Sequence, residues 1–340
     1  MEKYSFLDDY SEGCHPNILA ALAQTNLTQQ TAYGNDDYSN EARALILAKL
    51  NNPAAEIYFA AGGTLSNIIV SSSILRSHEA VIAAETGHIA THETGAIEAT
   101  GHKIITVRSD NGRLTPNDIQ QVLDDHALVP HMVKPRLVYI SNATEVGTIY
   151  RKQELQSLHD ICQEKGLLLF LDGARLGSAL CSEKSDLTLE DVTTLTDIFT
   201  IGGTKNGALI GEAIVINNPV LQEDFAFHIK QRGALLAKGR LLGIQFVELF
   251  KDDLYFDLAT HANQMAQKIS EAIVTKGYEL DAETESNQIF AIVPNSLIEM
   301  LSEAFAFYVW EKKDEAHSVV RLVTSWAVNE EKVDAFIEEL

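Results

Sequence analysis

With 340 residues, 46% of them hydrophobic, the chain can build a large domain and a smaller one beside it. No run reaches the ~18 apolar positions of a membrane helix, and the acidic N-terminus is not expected to act as a signal peptide. A net charge of −22 disfavours nucleic acid and membrane partners. Cys14, Cys162 and Cys181 match no disulfide framework or metal site, so a reduced, cytoplasmic location is expected.

Short apolar runs alternate with helical segments over the first two thirds of the chain. Strands are predicted over residues 56–60, 80–84, 103–107, 136–141, 167–172, 197–201 and 213–216. Several of these runs are continuously apolar, which is typical of strands buried on both faces. Because helical segments such as 153–165 lie between them, the pattern predicts an α/β fold with a mostly parallel central sheet.

The pattern changes after about residue 217. Helical sequence dominates as far as residue 276, and three strands are then predicted over 288–293, 306–311 and 319–325, before a last helix from Asn329. We therefore expect a large domain over residues 1–250, which includes the N-terminal segment, and a small α+β domain over residues 251–340.

Polar residues follow the predicted strands where a parallel sheet collects ligands. Gly62, Gly63 and Thr64 lie between a strand and a helix, where backbone N–H groups can bind a phosphate, although a plain turn has the same pattern. Asp172 ends an apolar strand and needs a partner, which Arg175, a helix cap or a pyridinium nitrogen could supply.

Two further polar residues point to a cofactor. Lys205 lies among glycines after an apolar strand, and a confined lysine of this kind loses its proton readily enough to form a Schiff base. His88 follows another strand, where it could stack on a flat ring or be merely structural. Together these features predict pyridoxal 5'-phosphate as the cofactor.

Four segments in this order resemble the low-specificity threonine aldolases of the aromatic amino acid β-eliminating lyase group: HETGAIEATGHK (92–103), NATEVGT (142–148), DGARL (172–176) and GGTKNG (202–207). The resemblance covers nearly the whole chain. It implies a fold-type-I pyridoxal-phosphate-dependent transferase-like fold. It also implies a lyase that cleaves threonine or allo-threonine to glycine and an aldehyde, as a homodimer or homotetramer with active sites at the subunit interface.

The resemblance also assigns roles to single residues. The expected catalytic residues are Lys205, which carries the cofactor, His88, which stacks on its ring, and Asp172, which pairs with its nitrogen. The expected cofactor ligands also include Gly63, Thr64, Arg175, Thr204 and, across the subunit interface, Lys238. The expected substrate-binding residues are Asp8, Tyr33, Arg175 and Arg321.

Two departures from the family bear on the substrate. Asp8 stands where the family usually has a serine that binds the substrate carboxylate, and the family's second histidine is replaced by the stretch Asn142-Ala143-Thr144-Glu145. The base that removes the proton of the substrate β-hydroxyl is not decided by the sequence. The candidates are His88, Glu93 and a water held by Thr144 or Glu145. Two alternatives to the cleavage reaction remain. The protein could catalyse β-elimination or racemisation, or it could be a catalytically silent member of the fold.

Overall fold

A computed structural model describes residues 3–340 of the protein. Its strands are β1 (Tyr4–Ser5), β2 (Glu56–Ala60), β3 (Glu79–Ala84), β4 (Lys103–Val107), β5 (Lys134–Ser141), β6 (Leu168–Asp172), β7 (Ile198–Gly202), β8 (Glu212–Ile216), β9 (Glu279–Leu280), β10 (Gln288–Pro294), β11 (Phe305–Ala306), β12 (Tyr308–Lys312) and β13 (His317–Val323). The strand predicted over residues 306–311 is thus divided between β11 and β12.

The helices are α1 (Pro16–Thr25), α2 (Asp37–Leu50), α3 (Gly63–Ile74), α4 (His88–Thr91), α5 (Pro116–Asp125), α6 (Lys152–Lys165), α7 (Leu176–Leu180), α8 (Leu189–Leu195), α9 (Phe225–Gln231), α10 (Arg240–Phe250), α11 (Leu254–Thr275), α12 (Asn295–Leu301) and α13 (Glu330–Glu339). Short 3-10 helices cover Glu98–Thr100 and Pro219–Leu221. No helix of residues 3–340 is both long and apolar enough to cross a membrane.

The central sheet has seven strands in the order β2-β8-β7-β6-β5-β3-β4. Strands β3 to β7 pair in parallel, whereas β8 runs antiparallel to both of its neighbours, β2 and β7. The predicted α/β fold with a mostly parallel sheet is therefore confirmed. The carboxyl ends of the parallel strands meet at one edge of the sheet, which is where such folds bind ligands.

Each strand of the sheet separates two hydrophobic layers. In β6, Leu169 and Leu171 belong to one core cluster, and Leu168 and Phe170 belong to the other. Because side chains alternate along a strand, Asp172 continues the row of Leu168 and Phe170. This row faces the layer that also contains apolar side chains of α3, and it directs the Asp172 carboxylate toward that helix.

A third core lies in the C-terminal part of the chain, around the antiparallel sheet β12-β13-β10-β9. Phe6 of the N-terminal segment packs in this core, and β1 pairs with β11. Helix α11 contributes Tyr255 to the first core and Met265 to the third. The division into domains at residues 250 and 251 stays a prediction.

Candidate active site

Two adjoining cavities lie at the carboxyl ends of the parallel strands. The sheet-side cavity, of about 250 Å³, is lined at these ends by Gly62, Gly63, Thr64, Ser141, Asp172, Thr204 and Glu212. The arginine cavity, of about 230 Å³, is lined by Asp8, His92, Tyr308, Trp310 and Arg321. Five residues line both cavities: Tyr10, His88, Glu145, Arg175 and Lys205.

Lys205 lies in the turn between β7 and β8, and its position is fixed by a close backbone approach. A Cβ added to Gly202 would come within 2.4 Å of the Ala174 carbonyl oxygen, so only glycine allows the end of β7 to pack there. Burial, followed by the charge of Arg175, lowers the pKa of the Lys205 amine. A neutral amine is nucleophilic, which is what attack on an aldehyde requires.

Asp172 is buried and accepts hydrogen bonds from three donors. The Tyr139 hydroxyl donates to Oδ2 at 2.7 Å, the Asn67 amide donates to the same oxygen at 3.0 Å, and the Ala174 N–H donates to Oδ1 at 2.9 Å. Burial and the nearby Asp172 charge raise the pKa of Tyr139, so its hydroxyl stays protonated and available as a donor. The predicted alternative that Asp172 pairs with Arg175 is wrong, because Arg175 pairs elsewhere.

His88 opens α4 and is held from two sides. Its Nδ1 lies 2.8 Å from Oε1 of the buried Glu93, and its backbone N–H donates to Glu145 Oε1 at 3.0 Å. The Asn67 amide donates to Glu93 as well as to Asp172, so one side chain links the two carboxyl groups. If Glu93 accepts the hydrogen bond from Nδ1–H, Nε2 of His88 is left as an acceptor.

The two predicted arginines line the arginine cavity and are held in different ways. Arg175 forms a bidentate ion pair with Asp9, with Nε–Oδ2 at 2.7 Å and Nη2–Oδ1 at 3.1 Å. Arg321 donates instead to the Gln288 side chain at 2.8 Å and lies over Trp310, 5.5 Å from the ring centroid. Burial, followed by the charge of Arg175, lowers the pKa of Arg321 to about 10, at which it remains cationic at neutral pH.

Three carboxyl groups near these arginines lie in different surroundings. Burial alone would raise the pKa of Asp9, but Arg175, Lys205 and a hydrogen bond from Asn287 lower it, so Asp9 is ionised. Burial, reinforced by the charge of Asp172, raises the pKa of Glu145. Asp8 lines the arginine cavity and forms no ion pair within residues 3–340.

The sheet-side cavity contains groups that fit pyridoxal phosphate. Helix α3 begins at Gly63 without a side-chain cap, so its first N–H groups are free to meet an anion. A Cβ added to Gly62 or Gly63 would find open space, and Thr64 and Thr204 line the same cavity. A phosphate at this helix end, the Lys205 amine and the Asp172 carboxylate match the three polar parts of the cofactor.

Tyr33 and Lys238 lie outside both cavities. The Tyr33 N–H donates to the Ala237 carbonyl at 3.1 Å, and its ring contacts the Lys230 amine at 4.5 Å from the centroid. Lys238 is exposed and lines a separate cavity of about 570 Å³ with Ala32 and Arg240. Within one chain, the structure does not bring these two residues to Lys205, and their expected roles stay predictions.

Several residues at the site were not identified as site residues from the sequence. Asn67, Tyr139 and Gln288 lie inside helices or strands and contact the site only through tertiary packing. His92 lines the arginine cavity, with its ring 5.6 Å from that of His88, and burial followed by the charge of His88 lowers its pKa. Glu212 carried a detectable signal, a carboxylate at the start of the apolar run AIVI.

Comparisons with known proteins agree with this geometry. Residues 7–296 match the family described as β-eliminating lyase. The chain is 36% identical to a low specificity L-threonine aldolase of Pseudomonas sp. (strain NCIMB 10558), over 98% of this chain and 95% of that protein. Among solved structures, Leishmania major threonine aldolase superposes with a TM-score of 0.97 at 49% identity, and the match covers 98% of each chain.

A more distant neighbour shows how widely the fold is shared. Thermus thermophilus aspartate aminotransferase superposes with a TM-score of 0.72 at 13% identity, over 99% of this chain and 91% of that one. At that identity the likeness concerns the fold alone, so the assignment depends on the family match and on the two threonine aldolases. The chain belongs to the β-eliminating lyase family.

Proposed function

We propose that this protein is a pyridoxal-phosphate-dependent lyase that cleaves threonine-like β-hydroxy-α-amino acids to glycine and an aldehyde. The observation that carries the proposal is a lysine of lowered pKa, Lys205, in cavities shared with Asp172 and two arginines. The similarity to low specificity L-threonine aldolases supports the choice of reaction and substrate class.

The residues of the sheet-side cavity hold the cofactor in this proposal. Lys205 would bind its aldehyde carbon, Asp172 would keep its ring nitrogen protonated, and His88 would stack on the ring. Gly63, Thr64 and Thr204 bind the phosphate. When bound, pyridoxal phosphate supplies an electron sink for the electrons released as the Cα–Cβ bond breaks.

The arginine cavity orients the substrate. The forked donors of Arg175 and Arg321 suit a carboxylate, and Asp9 and Gln288 hold the two guanidinium groups in place. The β-hydroxyl must lose its proton as the bond breaks. We assign that proton to Nε2 of His88, because Glu93 holds the opposite ring nitrogen and so fixes the tautomer that can accept it.

A homodimer or homotetramer belongs to the same proposal, with Tyr33 and Lys238 reaching the active site of a neighbouring subunit. The exposed Leu27, which lies in the chain between Asn26 and Thr28 of the separate cavity near Lys238, supports a covered surface there. A cytoplasmic location is supported by the three free cysteines. Sedimentation velocity tests the assembly, since a monomer at micromolar concentration would contradict it.

The function is tested by product analysis. Purified protein is incubated with each threonine diastereomer, and glycine and acetaldehyde are measured. We expect cleavage by the wild type and none by Lys205→Ala, with an unchanged circular dichroism spectrum. Borohydride reduction should link the cofactor to Lys205. Ammonia and a keto acid as the products, or a cofactor linked to another lysine, would contradict the proposal.

A further inference from the structure

Glu212 occupies a position between the two loops that are expected to bind the cofactor phosphate. It is the first residue of β8 and pairs with Ala60 on one side and with Gly202 on the other. Because β8 is antiparallel to both neighbours, its first residue lies beside the last residues of β2 and β7. After these strands come Gly63 and Thr64, the first residues of α3, on one side and Thr204 on the other.

The Glu212 side chain is buried and incompletely satisfied. It is 4% exposed, lines the sheet-side cavity, and has a buried Oε2 atom with no hydrogen-bond partner within residues 3–340. An orphaned carboxyl oxygen in a native site calls for a ligand or a function. The cavity that it lines is the one that fits the cofactor.

The surroundings of Glu212 favour its neutral form. The titratable groups that face it are Asp172 at the end of β6, Lys205 after β7 and Tyr255 of α11. Burial, followed by the charge of Asp172, raises the pKa of Glu212 to about 8, although Lys205 opposes this shift. At neutral pH the group is therefore mostly a carboxylic acid, which carries one O–H donor.

A phosphate distinguishes sharply between the two forms of this side chain. An ionised Glu212 would repel the phosphate dianion, whereas the neutral acid can donate a hydrogen bond to it. We propose that Glu212 is a cofactor-binding residue that acts as a neutral hydrogen-bond donor to the phosphate of pyridoxal phosphate. This inference rests on the proposed use of pyridoxal phosphate. It adds a phosphate-binding residue whose contribution to affinity depends on pH.

The consequence is a proton linkage. Below pH 8 Glu212 already carries its proton, and the affinity for the phosphate changes little with pH. Above pH 8 the free protein must take up a proton as the phosphate binds, so affinity falls as pH rises, by up to about tenfold per pH unit for one proton. The Glu212→Gln variant keeps the size of the side chain and a hydrogen-bond donor, but it cannot ionise. Its affinity should therefore lack this pH dependence.

The test uses 4-deoxypyridoxine 5'-phosphate, which has the ring and the phosphate but no aldehyde to react with Lys205. Its dissociation constant is measured for the full chain, freed of cofactor, between about pH 7 and 10. We expect the affinity of the wild type to fall more steeply than that of Glu212→Gln, with a difference of about tenfold at one pH unit above the midpoint. Lys205 titrates in both proteins, and the unphosphorylated analogue reports any change in its titration that the substitution causes.

Two controls define the outcome. Unphosphorylated 4-deoxypyridoxine should show no difference between the two proteins. In the holoenzyme of the wild type at pH 8, infrared spectroscopy should show the carbonyl band of a protonated carboxyl group, and Glu212→Gln should lack that band. The infrared measurement still tests the proposal if Glu212→Gln binds the cofactor poorly. In that case the carbonyl band is followed in carboxyl-labelled wild type alone.

The results separate the two proposals. Identical pH dependence of the two proteins, or an ionised carboxylate in the holoenzyme, would overturn the role of Glu212 and leave the lyase proposal standing. If the wild type binds no phosphorylated analogue at any pH, both proposals fail. If the analogue binds as expected but threonine is not cleaved, only the choice of reaction fails.

Discussion

Replacing Asp8 should strengthen substrate binding. Arg175 is paired with Asp9, and Arg321 with Gln288, whereas the Asp8 carboxylate lies in the arginine cavity, forms no ion pair within residues 3–340, and acts on Arg321 only through its charge. A substrate carboxylate held by the arginines would meet this charge. Two unit charges about 4 Å apart in a water-like medium repel by about 1 kcal/mol, which corresponds to about fivefold in affinity.

The perturbation is best made in two ways. Asp8→Asn removes the charge at nearly constant volume, and Asp8→Ser restores the residue that the family usually has. Both should lower KM for threonine by about fivefold at low salt, with little change in kcat, because the repulsion acts on bound substrate and transition state alike. The difference should shrink at ~1 M salt, where the Debye length is only ~3 Å.

Inhibition by glycine provides the matched measurement. Glycine has the carboxylate but no β-hydroxyl, so its inhibition constant should fall by the same factor as KM if the effect is purely electrostatic. Unchanged constants in both variants would show that Asp8 points away from the substrate. An increase in KM would refute the reasoning, because it would mean that Asp8 helps to position Arg321.

Two further substitutions probe the buried carboxylates. Asp172→Asn keeps the shape of the side chain but removes the charge expected to face the cofactor nitrogen. Turnover should fall about 10²–10³-fold while the cofactor is still bound. An unaltered kcat would show that Asp172 has only a structural role. Asp9→Asn breaks the buried ion pair with Arg175, and the free energy of unfolding measured in urea should drop by about 3 kcal/mol. A loss under about 1 kcal/mol would contradict this prediction. Because the pKa of Asp9 is lowered in the folded state, this stabilisation is present above pH ~4 and disappears as the pH falls through the folded-state pKa.

The sequence was sufficient to predict the residues that follow parallel strands. Asp172 and Lys205 come directly after long apolar runs, and the carboxyl ends of parallel strands necessarily meet at one edge. The prediction needed only the order of strands and helices along the chain. It did not need any side-chain contact, and this is why it located both residues in one cavity.

Contacts between distant segments could not be predicted in the same way. Asp8 and Asp9 are adjacent in sequence, and only the path of the N-terminal segment decides that Asp9, and not Asp8, meets Arg175. Glu212 was missed because its place depends on β8 being antiparallel, which an apolar run of four residues does not reveal. The roles expected of Tyr33 and Lys238 require a second subunit, and the fold of one chain does not bring them to the site.

The charges at the site explain how an acidic protein can bind an anionic cofactor and an anionic substrate. Four carboxyl groups and three basic side chains line the two cavities: Asp8, Glu145, Asp172 and Glu212, with Arg175, Lys205 and Arg321. Were all of them ionised, the lining would be net negative, in addition to a global charge of −22. The pKa of Glu212, raised to about 8, removes one of these negative charges at neutral pH, and burial raises the pKa of Glu145 as well. Burial, which penalises charge, thus makes Glu212 a neutral donor where the phosphate is expected to bind. As pH rises past about 8, ionisation of Glu212 adds a negative charge to the lining, so the affinity of the site for its anions should weaken.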